Sequence, residues 1–229
     1  MPVALITGAS RGLGRAIARS LGERGWSMVI DARGADALAA VAAELPTARA
    51  VVGDVTDSWH RAALADAVES FGGLHLLVNN ASHLGPSPQP QLAEYPLADL
   101  ADVYRVNVTA PLALIQQVLP ALLTNGGTIV NISSDAAVEA YAGWGGYGSA
   151  KAALDQLTAI LAAEQPTLRV YSFDPGDMRT EMHQRAFPGE DISDRPEPES
   201  VVPSFLRLLE ERPESGRYRA SDLAVPALR

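Results

Sequence analysis

Tyr147 and Lys151, in the run Tyr-Gly-Ser-Ala-Lys, are the residues whose types and spacing point most directly to chemistry. On a helix, positions i and i+4 share a face, so an ammonium would lie one turn from a phenol. An ammonium there is expected to stabilise the phenolate and lower the tyrosine pKa. Such a phenol suits a proton donor for ketone reduction or a proton acceptor for alcohol oxidation. Lys151 is the one lysine among 18 basic residues, and the chain has six tyrosines. Chance places a lone lysine four positions after a tyrosine in roughly 3% of such chains. That favours a working pair over two idle groups on a helix surface.

A second candidate lies near the N-terminus, in Thr7-Gly8-Ala9-Ser10-Arg11-Gly12-Leu13-Gly14. An apolar run precedes it and a helical pattern follows. Glycines there permit a tight turn and let backbone approach a pyrophosphate, while the helix N-terminus offers free N–H groups. Three glycines at fixed offsets also arise by chance, in about one chain in ten. The strand–turn–helix context supplies the weight. No Gly-Lys-Ser/Thr follows, so a nucleoside-triphosphate loop is not expected.

These groups need a scaffold, and 229 residues suit one α/β domain. Short apolar runs alternate with longer Ala/Leu/Arg-rich segments, the pattern of repeated βα units and a parallel sheet. The pattern predicts strands near 3–7, 27–32, 48–53, 74–79, 126–132, 168–173 and 217–220. It predicts helices near 12–24, 34–45, 57–71, 98–122, 146–164 and 199–211. Leu13, Ile17 and Leu21 form the apolar stripe of the first helix, which Gly25 ends. The fold class is thus α/β, a Rossmann-type doubly wound parallel sheet of about seven strands with helices on both faces. Segments 82–97 and 176–198 read as loops beyond strand C-termini, where such sheets bind substrate.

A net charge of −9 argues against non-specific nucleic-acid binding. Any anionic ligand must be met by a local positive cluster. The absence of cysteine excludes disulfides and thiolate metal sites, and His60, His75, His83 and His183 lack metal-ligand spacing, so no metal is expected. No targeting segment precedes the first strand, and no uninterrupted apolar run reaches membrane-spanning length. A cytoplasmic protein with no membrane partner is expected.

The Gly-x-x-x-Gly-x-Gly spacing after Thr7, together with Tyr147 and Lys151, resembles the short-chain dehydrogenase/reductase family. The resemblance runs over nearly the whole chain. It implies a cofactor site of Gly8, Ser10, Arg11, Gly12, Leu13 and Gly14, with Asp54 and Val55 at the adenine. Asn79-Asn80-Ala81 looks like the family's Asn-Asn-Ala-Gly signature, with Ser82 in place of the glycine, and adds Asn80 and Ala81. Pro175 and Gly176 correspond to the turn against the nicotinamide, and Thr180 to the threonine near its carboxamide or a phosphate. The resemblance also assigns Tyr147 and Lys151 to cofactor contact. Simple turn chemistry would account for several of these residues equally well.

In that family, NAD-binding members place an acid where this chain has Ala32. Arg33 follows, and Arg11 sits inside the glycine turn. Two guanidiniums suit a 2′-phosphate, which makes NADP(H) the expected cofactor. The alternative makes Asp31 the ribose ligand and Arg33 a solvated arginine. Strand alternation turns Asp31 away from the side of Ala32.

The same resemblance makes Ser134 the hydroxyl that orients the carbonyl oxygen, with Ser133 its inert neighbour. It makes Asn107 the helical asparagine of a proton relay to Lys151. The implied reaction moves hydride between NADP(H) and a small carbonyl or alcohol, as in a ketone or aldehyde reductase. The competing expectation is a non-catalytic NADP(H)-binding sensor or scaffold. His83, Asp135, Trp144, Asp177, Met182, His183 and Phe187 are candidates for the substrate pocket. Helices 98–122 and 146–164 resemble those through which family members form homodimers or homotetramers.

Overall fold

The computed structural model describes residues 1–223; positions 224–229 of the expected single domain lie outside the described residues. Seven parallel strands form one sheet in the order β3-β2-β1-β4-β5-β6-β7. They are β1 Val3–Ile6, β2 Ser27–Ala32, β3 Ala48–Val52, β4 Leu76–Asn79, β5 Thr128–Ile132, β6 Arg169–Asp174 and β7 Gly216–Arg219. The helices are α1 Gly12–Glu23, α2 Ala35–Glu44, α3 Ser58–Ser70, α4 Leu97–Tyr104, α5 Ala110–Asn125, α6 Gly145–Glu164, α7 Glu181–Ala186 and α8 Val202–Glu211. The doubly wound sheet is the one expected.

Strand alternation divides the core. Ala4 and Ile6 of β1 pack with α1, α2 and α8, whereas Val3 and Leu5 pack with α3 and α5. Central strands are therefore apolar on both faces, which is why they read as continuous hydrophobic runs. The sheet order reverses between β1 and β4. Their following loops part there and leave a crevice at the C-terminal strand ends. Thr7 and Gly8 enter it from β1, Asn80 and Ala81 from β4.

Two expectations need correction. The helix expected at 98–122 is interrupted by a π turn at Arg105–Thr109, with Asn107 at its middle. Taken through that turn, Leu97–Asn125 is long and apolar enough to cross a membrane, with mean hydropathy 1.5 in its most apolar stretch. Its Leu114, Ile115, Val118 and Leu122 are nevertheless buried against the sheet and α3. Segment 176–198, read as loop, contains α7, whose N-cap Thr180 accepts the His183 N–H at 3.1 Å. Segment 82–97 holds only a 3₁₀ turn, Leu92–Glu94, before α4 begins.

Candidate active site

Gly8 and Gly12 hold φ of +64° and +53°, which glycine adopts without penalty. At Gly14 the reason is space: a Cβ would lie 2.5 Å from Asn80 Nδ2 and 2.6 Å from the Gly8 carbonyl. The turn is tied to β4. Thr7 Oγ1 accepts the N–H groups of Asn80 and Ala81, both at 3.0 Å, and Asn80 Nδ2 donates to the carbonyls of Thr7 and Gly8. Asn80 and Ala81 thus shape the cradle whatever else they touch. Leu13 is buried under α1, and Ser10 sits half-buried at the rim. No side chain caps α1 and its first turn carries no acid. Those N–H groups remain open to an anion, which fits a dinucleotide pyrophosphate.

Asp31 has a different task from either one considered in the sequence. Its Oδ1 accepts the Gly8 N–H at 2.7 Å and its Oδ2 pairs with His60 Nε2 at 2.9 Å, both oxygens being buried. Burial pushes its carboxyl up in pKa, against those two bonds. Both oxygens are engaged inside the fold, away from a ribose. Arg33 is exposed, and Arg11 pairs with Glu181 at the start of α7. The two guanidiniums therefore do not share a partner in this state. Asp54 closes a turn by accepting from the Thr56 N–H and hydroxyl. Burial raises its pKa, but those bonds and the charges of Arg33 and Arg105 bring it below its ordinary value. Val55 and Ala81 line one crevice with Val106, Ala110, Pro111 and Leu114, of which the last four had not been singled out.

Tyr147 and Lys151 lie together near the start of α6, both buried, with Lys151 Nζ 5.5 Å from the phenol ring centre. Nζ donates to the Ile132 carbonyl at 2.7 Å. Burial lowers Lys151 to about 8, opposed by Asp155. Burial likewise raises Tyr147 to about 12, opposed by a hydrogen bond with Ser82 and reinforced by Asp135 and Asp174. The direction is opposite to the lowering expected from the sequence, because desolvation of the phenolate dominates.

Ser134 caps the 3₁₀ turn Asp135–Ala137, and its hydroxyl donates to Asp135 Oδ1 at 2.9 Å. Ser133 Oγ is buried and, among the described residues, has no hydrogen-bond partner. Asn107 grips residue 83: its Oδ1 accepts the His83 N–H at 2.7 Å and its Nδ2 donates to the His83 carbonyl at 2.8 Å. Ser82 also donates to Asn107 Oδ1, at 3.2 Å. The Asn107 side chain thus holds the loop at His83, and its second Nδ2 N–H and its backbone are left for other partners. Gly176, with φ +72°, donates its N–H to Asp174 Oδ1 at 3.0 Å and so fixes the turn that begins at Pro175. The Thr180 methyl comes within 3.6 Å of a Cβ built on Gly12, bringing this turn to the glycine loop.

Sequence reasoning missed the residue that ties these parts together. Arg217 of β7 donates to the Ser134 carbonyl at 2.9 Å, to Asp174 Oδ2 at 2.9 Å and to Asp155 Oδ2 at 3.0 Å. It links the strand end of Ser134, the Pro175-Gly176 turn and the helix of Lys151. His60 was missed as the partner of Asp31, and Ser82 as a bond to the phenol. No local signal marks any of the three.

An aromatic cover closes over Tyr147. Trp144 meets it at 5.9 Å between ring centres, Phe187 meets Trp144 at 5.8 Å, and His183 meets Phe187 at 4.8 Å with the rings tilted. Met182 packs on the same group. Asp177 reaches His183 Nδ1 at 3.7 Å. Burial lowers the pKa of His83, helped by Arg185 and Arg33. Among the described residues, no His, Asp or Glu cluster could hold a metal ion.

A family model described as "short chain dehydrogenase" matches residues 2–191. The chain is 38% identical over 182 residues to serine 3-dehydrogenase of Agrobacterium fabrum, covering 77% of this chain and 72% of that one. It is 37% identical over 201 residues to mouse sepiapterin reductase, covering 80% and 77%. A short-chain dehydrogenase structure from Pseudomonas syringae superposes with TM-score 0.90 at 32% identity, over 96% of this chain and 94% of that one. A Shigella flexneri short-chain dehydrogenase complexed with NADP gives TM-score 0.88 at 30% identity, over 96% and 97%.

Proposed function

Because the chain belongs to the short-chain dehydrogenase family, we propose that this oxidoreductase uses NADP(H) and works as a ketone or aldehyde reductase. The observation that carries the reading is the packing of Tyr147 beside Lys151 at the C-terminal end of β5. Burial that holds the phenol up at about 12 keeps it protonated at physiological pH. A protonated phenol is the working form for reduction, in which the carbonyl oxygen must receive a proton.

NADPH, when bound, supplies the hydride. The turn Gly8–Gly14 and the α1 N-terminus would hold its pyrophosphate. Lys151 has three N–H donors, and the Ile132 carbonyl takes one of them, leaving two for ribose hydroxyls. Tyr147 donates its proton to the carbonyl oxygen, which the Ser134 hydroxyl positions. Asn107 holds the loop at His83 in place through its side chain. Preference for NADP(H) is supported by Arg11 and Arg33 at the rim and by the removal of Asp31 into the Gly8 and His60 bonds. The NADP complex of the Shigella relative is in keeping with that choice. Leu123 and Ile160 are exposed on α5 and α6, which supports pairing of those helices with a second copy.

The test is oxidation of NADPH and NADH over a ketone, aldehyde and quinone panel. A kcat/KM at least about tenfold higher with NADPH is expected, and Tyr147→Phe should lose about 100-fold or more in kcat. Equal use of NADH would overturn the cofactor choice. Wild-type rates in Tyr147→Phe would overturn the proton donor.

A further inference from the structure

Hydride transfer leaves one acid at the reaction centre without a role. Asp135 directly follows Ser134. Its Oδ1 accepts the Ser134 hydroxyl at 2.9 Å and the Ala136 N–H at 2.8 Å, and its Oδ2 accepts the Tyr141 hydroxyl at 3.0 Å. Among the described residues, no basic side chain lies within ion-pair distance of it. Two other acids near the site are answered: Glu139 faces Arg219 at 3.9 Å, and Asp177 faces Arg195 at 3.7 Å. Asp135 thus carries a carboxylate charge solvated by hydroxyls and one amide, beside the residue that must position the substrate oxygen.

Through Tyr141 it joins an aromatic cluster. Tyr141 meets Trp144 edge-on at 6.3 Å, and Trp144 in turn touches Tyr147 and Phe187. A carboxylate without a cationic partner, bonded to Tyr141 at the edge of a cluster that contains Trp144, is a composition that attracts organic cations. It repels anions, and it offers a neutral group without a donor no bond at all.

We propose that Asp135, with Trp144 and Tyr141, selects carbonyl or alcohol substrates that carry an ammonium group close to the reacting carbon. This rests on the reductase reading above and names its substrate class. It has a consequence for catalysis as well as for binding. Without substrate, the hydrogen that Ser134 should offer to the carbonyl oxygen is held by Asp135. An ammonium on the carboxylate neutralises that charge and loosens its hold, so the hydroxyl can turn to the substrate. Selectivity therefore falls partly on kcat and not only on KM.

The experiment compares three matched ketones, an aminoketone, its neutral isostere and its carboxylate isostere, with NADPH at pH 7. Wild type is expected to favour the aminoketone over the neutral ketone by about 10–100-fold in kcat/KM, the value of a charge-assisted bond. Asp135→Asn keeps an acceptor oxygen for Ser134 and the Ala136 N–H while removing the charge, and its amide nitrogen faces the Tyr141 hydroxyl, which can turn to accept. It should cut that preference to within a few-fold of unity and relieve exclusion of the carboxylate ketone. Trp144→Leu, which leaves the Ser134–Asp135 bond alone, should lower the aminoketone preference by about 2–5-fold. A wild type with no ammonium preference overturns the proposal while the reductase reading stands. So does an Asp135→Asn protein that loses all three ketones equally, which would make the acid a mere support for Ser134. Failure to turn over any ketone or alcohol, despite NADPH binding, overturns both readings.

Discussion

Replacing Lys151 by methionine keeps the aliphatic length and deletes the ammonium buried beside Tyr147. In the folded chain that ammonium titrates at about 8, against an ordinary value of 10.5. The unfolded chain therefore binds a proton that the native state gives up between those two values, so stability rises with pH across that window. Below pH 8 the deficit is complete, and above 10.5 it is gone. At about 1.4 kcal/mol per unit, the lysine costs the ligand-free fold roughly 3 kcal/mol at pH 7 and under about 1 kcal/mol at pH 10. Against this stands the Nζ bond to the Ile132 carbonyl, whose loss orphans an acceptor for about 1–3 kcal/mol. Lys151→Met should thus be near neutral to about 2 kcal/mol more stable than wild type at pH 7. At pH 10 the difference should have moved by about 2 kcal/mol in favour of wild type. Urea unfolding of both proteins at the two pH values measures this, and the subtraction cancels groups that titrate alike in both. A difference that does not change with pH would refute the claim that burial strains this lysine.

Further perturbations separate the parts of the cofactor cradle. Gly14→Ala would place a methyl against Asn80 Nδ2 and the Gly8 carbonyl, so NADPH affinity, followed by fluorescence titration, should fall at least about tenfold. Glu181→Gln releases Arg11 from its ion pair, and the KM for NADPH should fall by about 2–5-fold, in line with an exposed pair; no change would argue against Arg11 as a phosphate ligand. His60→Ala leaves the Asp31 carboxylate buried with only the Gly8 N–H, and urea melts should show a loss of about 3–5 kcal/mol. Adding Asp31→Asn to that variant should restore part of the loss.

Much of the fold was legible because its signals are local. The continuous apolar runs of β1, β2, β4 and β5 reflect burial on both faces, and the stripe Leu13, Ile17 and Leu21 reflects burial on one. Glycines with positive φ, at Gly8 and Gly12, advertise a turn that other residues cannot make cheaply. The π turn around Asn107 was not legible, because its sequence is good helix on either side and the bulge exists to meet His83. Nor was α7, whose six residues carry too little apolar periodicity to stand out from a Pro-flanked loop.

The sequence by itself determined the strand succession, the glycine turn and the pairing of a phenol with an ammonium, because each depends on neighbours a few positions apart. Tertiary structure alone decided how those groups behave. It took Asp31 out of contention through His60, roped Ser134, Asp174 and Asp155 to Arg217, and set Tyr147 above its ordinary pKa rather than below it. Charge placement and desolvation are properties of the packed interior, and residues distant in the chain supply them.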